Sequence, residues 1–247
     1  MKYSGTKTKR GFTLVETVIA MGIITIMITA FLAAFGPAVQ GIRKSMSAKE
    51  ANRLATTLEN ELSVLRSGET RTSGYKTAFE KAFDWIENST DSAKGNDTMV
   101  LIYQYRGDAK ATPNSDGTLK PYTNGTKSDL PGKDYVIQSV VRRMADDKVT
   151  DELVPGVIEG RVFYVRMTQL IFNSNGELIV SDNAANKIRE PRSPNAVKDY
   201  ESYPEAVIAF QAEFYVMKSS LAAYIRNGFE PNNPGKPVFT RNMAVRR

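Results

Sequence analysis

Two apolar regimes follow one another along the first quarter of the chain. Thr17 to Phe35 carries no charged side chain, and its only polar ones are the threonines Thr17, Thr25 and Thr29. A helix of that length covers roughly 28 Å at about 1.5 Å per residue, close to the hydrocarbon thickness of a bilayer. Gly36-Pro37 then predicts a loosening or kink, because proline lacks the amide donor and crowds the preceding turn. Beyond it apolar residues return at helical spacing: Ile42, Met46, Ala51, Leu54, Ala55, Leu58, Leu62 and Leu65. Lys44, Lys49, Glu50, Asn52, Arg53, Glu59 and Glu61 lie between them. Gly68 is a natural stop. The pattern predicts one helix over roughly 12–66, with a membrane-spanning first half and an amphipathic second half whose stripe packs on a globular head.

The remainder changes period. Thr77 to Asn88 predicts a short helix with Phe79, Phe83 and Ile86 on one face and Trp85 beside it. Runs rich in β-branched and aromatic residues at Met99–Tyr105, Tyr135–Val141, Val162–Phe172, Leu178–Val180 and Ala206–Met217 predict strands. Asn175-Gly176, between two of these, is the best hairpin signal in the chain. The polar stretches 106–132, 182–203 and 227–237 predict surface loops rather than domain boundaries, and no internal repeat is present. The fold class expected is α+β: a long N-terminal helix packed on an antiparallel sheet.

Composition narrows the chemistry. The chain has no His and no Cys. It therefore cannot supply a Ser-His-Asp or Cys-His catalytic group, a zinc finger, a histidine or thiolate haem ligand or a cysteine redox pair. The formal net charge of +6 is concentrated at the start, where Lys2, Lys7, Lys9 and Arg10 precede the apolar run without an acid among them. A nucleic-acid partner is therefore not expected from the overall charge. The positive-inside bias puts this segment in the cytoplasm and the residues beyond Phe35 across the membrane.

Glu16 is the feature a simple anchor leaves unexplained, since a carboxylate at the edge of a membrane helix is costly when unpaired and marks a partner by default. Lys9-Arg10-Gly11-Phe12-Thr13-Leu14-Val15-Glu16, followed by an apolar helix, resembles the prepilin signature of bacterial type IV pilins and of type II secretion pseudopilins. The resemblance implies cleavage by a prepilin peptidase between Gly11 and Phe12, N-methylation of Phe12, and a pilin-like head. It also implies assembly with other pilin-like subunits through an inner-membrane platform, with Glu16 pairing with the amine of a neighbour's Phe12. Gly11 suits the cut because an extended backbone without a side chain leaves its carbonyl unobstructed. The expected organisation is a leader at 1–11, a transmembrane half-helix at 12–35 in contact with lipid, an amphipathic half at 36–66 and an extracytoplasmic head at 67–247. The product is a single-pass inner-membrane subunit that ends in a periplasmic or surface filament, and the large head favours a minor or specialised one. The alternatives are a removable secretory signal, whose cleavage site after Ala34 or Gly36 would be poor next to Pro37, and an uncleaved anchor carrying a binding or adhesion module.

Other constellations are weaker. Asp146-Asp147 and Asp151-Glu152 do not have the spacing of an acid–base dyad and are expected to lie solvated or to serve structure. Some pseudopilin heads bind calcium, but Asp91–Asp97 and Asn173–Asn183 lack the spacing of a calcium loop. No metal and no cofactor are expected. Lys236, Arg241, Arg246 and Arg247 form a modest basic cluster of the kind usually solvated. Gly156 and Gly160 lack the continuation of a phosphate loop. A structural subunit rather than an enzyme is expected.

Overall fold

In a computed structural model, residues 13–66, 74–89, 96–123, 125–126, 128–181 and 187–247 are described. Gly11, Phe12, Gly68 and most of the Asp91–Asp97 stretch lie outside them. Helix α1 (Leu14–Ser63) is the long helix the periodicity predicts. It continues as helix through Pro37, at the Gly36-Pro37 step where a loosening or kink is expected. Proline removes one rung of the hydrogen-bond ladder, and the turns on either side keep theirs. The chain divides into two compact units, one up to Met46 and one from Ser47 onward. In the first, the large apolar side chains of α1 stand exposed, among them Val18, Ile26, Phe31, Phe35 and Met46.

The second unit, the head, is built on an antiparallel sheet. Its long central strand β4 (Ile158–Phe172) lies between β1 (Val100–Asp108) and β8 (Val207–Val216). Strand β3 (Val136–Arg143) flanks β1, and β9 (Phe239–Arg246) flanks β8. Short β2 (Lys120–Pro121) and β5 (Leu178–Val180) extend β1 and β4. A separate small hairpin pairs β6 (Arg189–Glu190) with β7 (Ser193–Val197). The Asn-Gly hairpin forms as read. Glu177 accepts from the amide of Asn173 at 2.9 Å, the Asn173 side chain caps the amides of Asn175 and Glu177 at 2.9 Å, and Gly176 takes φ +78°.

One sheet face receives the second half of α1 through Ala51, Leu54, Ala55, Leu58 and Leu62, together with helix α2 (Ala78–Asn88). α2 starts where Thr77 accepts the amide of Glu80 at 3.1 Å, a standard N-cap. Its buried Phe79 and Phe83 pack on Tyr203 and its Ile86 joins the same core. The opposite face, which the sequence pattern left uncovered, is also buried. There α3 (Lys148–Glu152) and α4 (Ala222–Asn227) bring Val149 and Ile225 against Leu101, Tyr103, Val140, Tyr164 and Tyr215.

Residues of α1 also fix its register on the sheet. The β1–β4 register shifts between Ile102 and Gln104, freeing backbone groups near Gly160. Glu50 accepts the amide of Arg161 at 3.0 Å, and Arg53 donates to the side-chain oxygen of Gln104. Gly160, at φ +75°, leaves the Glu50 carboxylate room that a Cβ would occupy.

Candidate functional site

The residues of the prepilin-like motif that are described form the first turn of α1. Thr13 precedes the helix and Glu16 is its third residue. The Glu16 Oε2 atom accepts the Thr13 amide and the Thr13 hydroxyl, both at 2.9 Å, while the Thr13 hydroxyl oxygen accepts the Glu16 amide at 3.2 Å. This reciprocal pattern is a capping box, which satisfies helix-terminal donors and sets a negative charge at the positive end of the helix dipole. One turn on, the Thr17 hydroxyl donates back to the Thr13 carbonyl at 3.2 Å.

Glu16 therefore holds a local position before any partner arrives. Both of its bonds fall on Oε2, and a carboxylate has acceptor capacity on both oxygens. The group is exposed, so an incoming cation can reach it. The T-x-x-E spacing of this box is present in Thr13-Leu14-Val15-Glu16, where the motif was read for cleavage and assembly alone. Gly11 and Phe12, the two residues expected at the cut, are outside the described residues.

In the head, two of the four acids expected to lie solvated or to serve structure, Asp146 and Glu152, join an ion network around Arg142, while Asp147 and Asp151 are exposed; a second network centres on Glu61. Glu152 is fully buried. Arg142 donates to it at 2.7 and 3.2 Å, and the Tyr103 hydroxyl at 2.6 Å. Arg142 also donates to Asp116 at 2.5 Å and lies 3.5 Å from Asp146. Burial pushes Asp116 up, but hydrogen bonds from Thr118 and Arg142 outweigh it and hold the carboxyl down at about 2. For Glu152 burial prevails over the same arginine and the carboxyl is raised. The second network joins Glu61 on α1 to Lys81 on α2 at 2.6 Å and to Arg66 at 2.8 Å. Lys81 has no exposed surface, donates also to the Val64 carbonyl at 3.1 Å and stands 5.0 Å over the Trp85 ring. Burial pushes Glu61 up, yet Arg66 and Lys81 hold it low. Each acid of the two networks is bound to a cation, an arrangement that fastens elements and offers no base to a substrate.

The C-terminal basic cluster is partly absorbed in the same way. Arg241 pairs with Glu59 of α1 at 3.3 Å, and Arg247 donates to the Tyr200 carbonyl at 2.6 Å and lies over Phe79. Among the described residues no group of three or more acidic side chains could hold a metal ion. α1 is the one described helix long and apolar enough to cross a membrane.

Neither a curated protein nor a solved structure matches this chain. Residues 6–32 match the family model described as the prokaryotic N-terminal methylation motif, a match that covers residues ahead of α1 and its first turns and none of the head. The N-terminus thus carries the type IV pilin and pseudopilin signature, that of a structural rather than catalytic precursor.

Proposed function

We propose that the chain is a pilin-like structural subunit, a minor pilin or a pseudopilin, assembled through α1 into a type IV pilus or a type II secretion pseudopilus. The observation that carries this reading is the methylation motif at residues 6–32, which runs into a helix that is charge-free from Thr17 to Ile42 and exposes its large apolar side chains. In this reading a prepilin peptidase cuts between Gly11 and Phe12 and Phe12 is methylated. Residues 1–11 are the leader, 12–35 span the inner membrane, 36–66 continue as the amphipathic half, and 67–247 form the extracytoplasmic head.

Glu16 receives the N-terminal amine of Phe12 from a neighbouring subunit. Ammonium and carboxylate are each expensive in a poorly hydrated setting and tolerable together. Because Glu16 already caps its own helix, docking exchanges or shares a satisfied carboxylate rather than rescuing an orphan. The work of extension falls to an ATPase and platform outside this chain.

Intact mass of the membrane-extracted protein tests the first step. The mature species is expected to begin at Phe12 and to be about 14 Da heavier than the unmodified fragment, the mass of one methylene. A species beginning near Met1 would assign the chain to uncleaved anchors carrying a binding module.

A further inference from the structure

The charges nearest the apolar run of α1 are spaced to bracket a whole bilayer. No charged side chain lies between Glu16 and Arg43-Lys44, and α1 is helical throughout that interval. At about 1.5 Å per residue the two ends are roughly 40 Å apart along the axis. The hydrocarbon core accounts for about 30 Å, and the headgroup layers bring the total to about 40–45 Å. With Glu16 at one edge of the hydrocarbon, Phe35 falls at the other. The headgroup layer beyond it is about 5–7 Å deep, so Gly36 to Gln40 crosses it, and Arg43 and Lys44, roughly 10–12 Å past the hydrocarbon edge, stand just outside it within side-chain reach of the headgroups.

The side chains suit that depth. Phe35, Val39, Ile42 and Met46 share one face of the helix, while Gln40, Arg43 and Lys44 lie outside it. Ile42 is 60% exposed, a costly state in open water and an ordinary one beside headgroups. Helical Cα–Cβ bonds tilt toward the N-terminus, so both long cations lean back toward the bilayer. Charge placement adds a further argument. No Lys or Arg lies between Arg10 and Arg43. Once residues 1–11 are removed, Arg43 and Lys44 are the basic side chains nearest the span, and both are on its extracytoplasmic side.

We propose that Arg43 and Lys44 form a collar that binds anionic phospholipid headgroups of the extracytoplasmic leaflet and sets the depth of the unassembled subunit. The proposal rests on the membrane-spanning reading of α1. It gives the lipid surface a charge-complementary contact at this end of the span before assembly.

The chain contains no cysteine, so a fluorophore can be placed at one site, by Ser45→Cys for the neck or Ala30→Cys for the middle of the span. The full-length protein is reconstituted in phosphatidylcholine vesicles and titrated with phosphatidylglycerol or phosphatidylcholine, each nitroxide-labelled high on its acyl chain. For the Ser45 label, the association ratio is expected to favour phosphatidylglycerol by between about five-fold and twenty-five-fold at low salt, each cation contributing about five-fold. It should fall toward unity in Arg43→Gln/Lys44→Gln, and also at about 1 M salt. A ratio near unity in the wild type, or a preference unchanged in the double variant, overturns the collar. The Ala30 label separates this from failure of the underlying reading. Quenching of that label by lipid brominated deep in the acyl chain means that α1 spans, so a ratio of unity then counts against the collar alone. If deep quencher leaves it untouched, α1 does not span and both inferences fall.

Discussion

The capping role of Glu16 and the charge pairing proposed for it separate by substitution, because they require different things of the side chain. Gln at this position can still accept from the Thr13 amide and hydroxyl, whereas Ala cannot. Glu16→Gln should therefore keep the helix start while losing the carboxylate offered to a neighbour's amine, and Glu16→Ala should lose both. If charge pairing governs assembly, the two variants are equally excluded from sheared filaments although both are processed. If the helix start governs it, Gln is incorporated and Ala is not. Incorporation of both at the wild-type level would refute a role for Glu16 in assembly. At Gly160 the reasoning is steric. An alanine there meets the Glu50 carboxylate and must hold φ near +75°, a left-handed conformation costing about 1–2 kcal/mol. Losing the Glu50 bond to the Arg161 amide adds about 1 kcal/mol. Gly160→Ala should lower the melting temperature of the head by roughly 5–10 °C. In a Glu50→Ala background the same change should cost only the backbone part, and an undiminished loss there would disprove the contact.

At the scale of elements, the long helix, α2 and the central strands were legible because their apolar residues keep one period over many positions. β9 was not, since Arg241 faces inward between Phe239 and Met243 and interrupts the alternation. Its pairing with Glu59 of α1 depends on residues distant in sequence. The second covered face did leave a trace: Met99-Val100-Leu101-Ile102-Tyr103 is apolar without interruption, which an open sheet face does not require. The helices that cover it are too short for periodicity to reveal. The motif at the N-terminus is readable almost residue by residue; its T-x-x-E cap is spelled in the same letters but is overlooked when they are read for cleavage and assembly alone, and the buried ion networks are not readable, because burial is set by the fold. Glu61 and Lys81 illustrate the consequence. Glu61→Leu takes from Lys81, which has no exposed surface, its carboxylate partner at 2.6 Å and should cost about 3–5 kcal/mol. Adding Lys81→Met removes the stranded charge and should restore most of that loss, since Arg66, partly exposed, can turn to solvent. Urea unfolding of the head gives both numbers, and a double variant no better than the single one would mean that the pair is not the fastening between α1 and α2.

On the scale of the whole molecule, α1 serves two units, and the position of a truncation decides whether a folded head survives. Up to Met46 nearly all of its apolar side chains are exposed, and none belongs to the head's core. From Ser47 onward Ala51, Leu54, Ala55, Leu58 and Leu62 are almost completely buried in it. Removing residues 1–46 should therefore yield a soluble, folded protein, because the exposed apolar run is lost and the core is left intact. Removing residues 1–66 should not. At about 1.5–3 kcal/mol for each large buried apolar side chain, Leu54, Leu58 and Leu62 alone account for roughly 5–9 kcal/mol, comparable with the whole stability of a typical domain of about 5–15 kcal/mol. The longer deletion also removes Glu61, leaving Lys81 buried without its carboxylate, and it removes Glu50 from the bulge at Gly160. Sedimentation in detergent-free buffer and near-ultraviolet circular dichroism distinguish the outcomes. The shorter deletion should give a monomer with fixed aromatic signals, and the longer one aggregate or a form without them. A folded protein lacking residues 1–66 would mean that the second half of α1 is an applied strut rather than part of the core. An aggregate lacking only residues 1–46 would mean that an apolar surface of the head itself requires a partner.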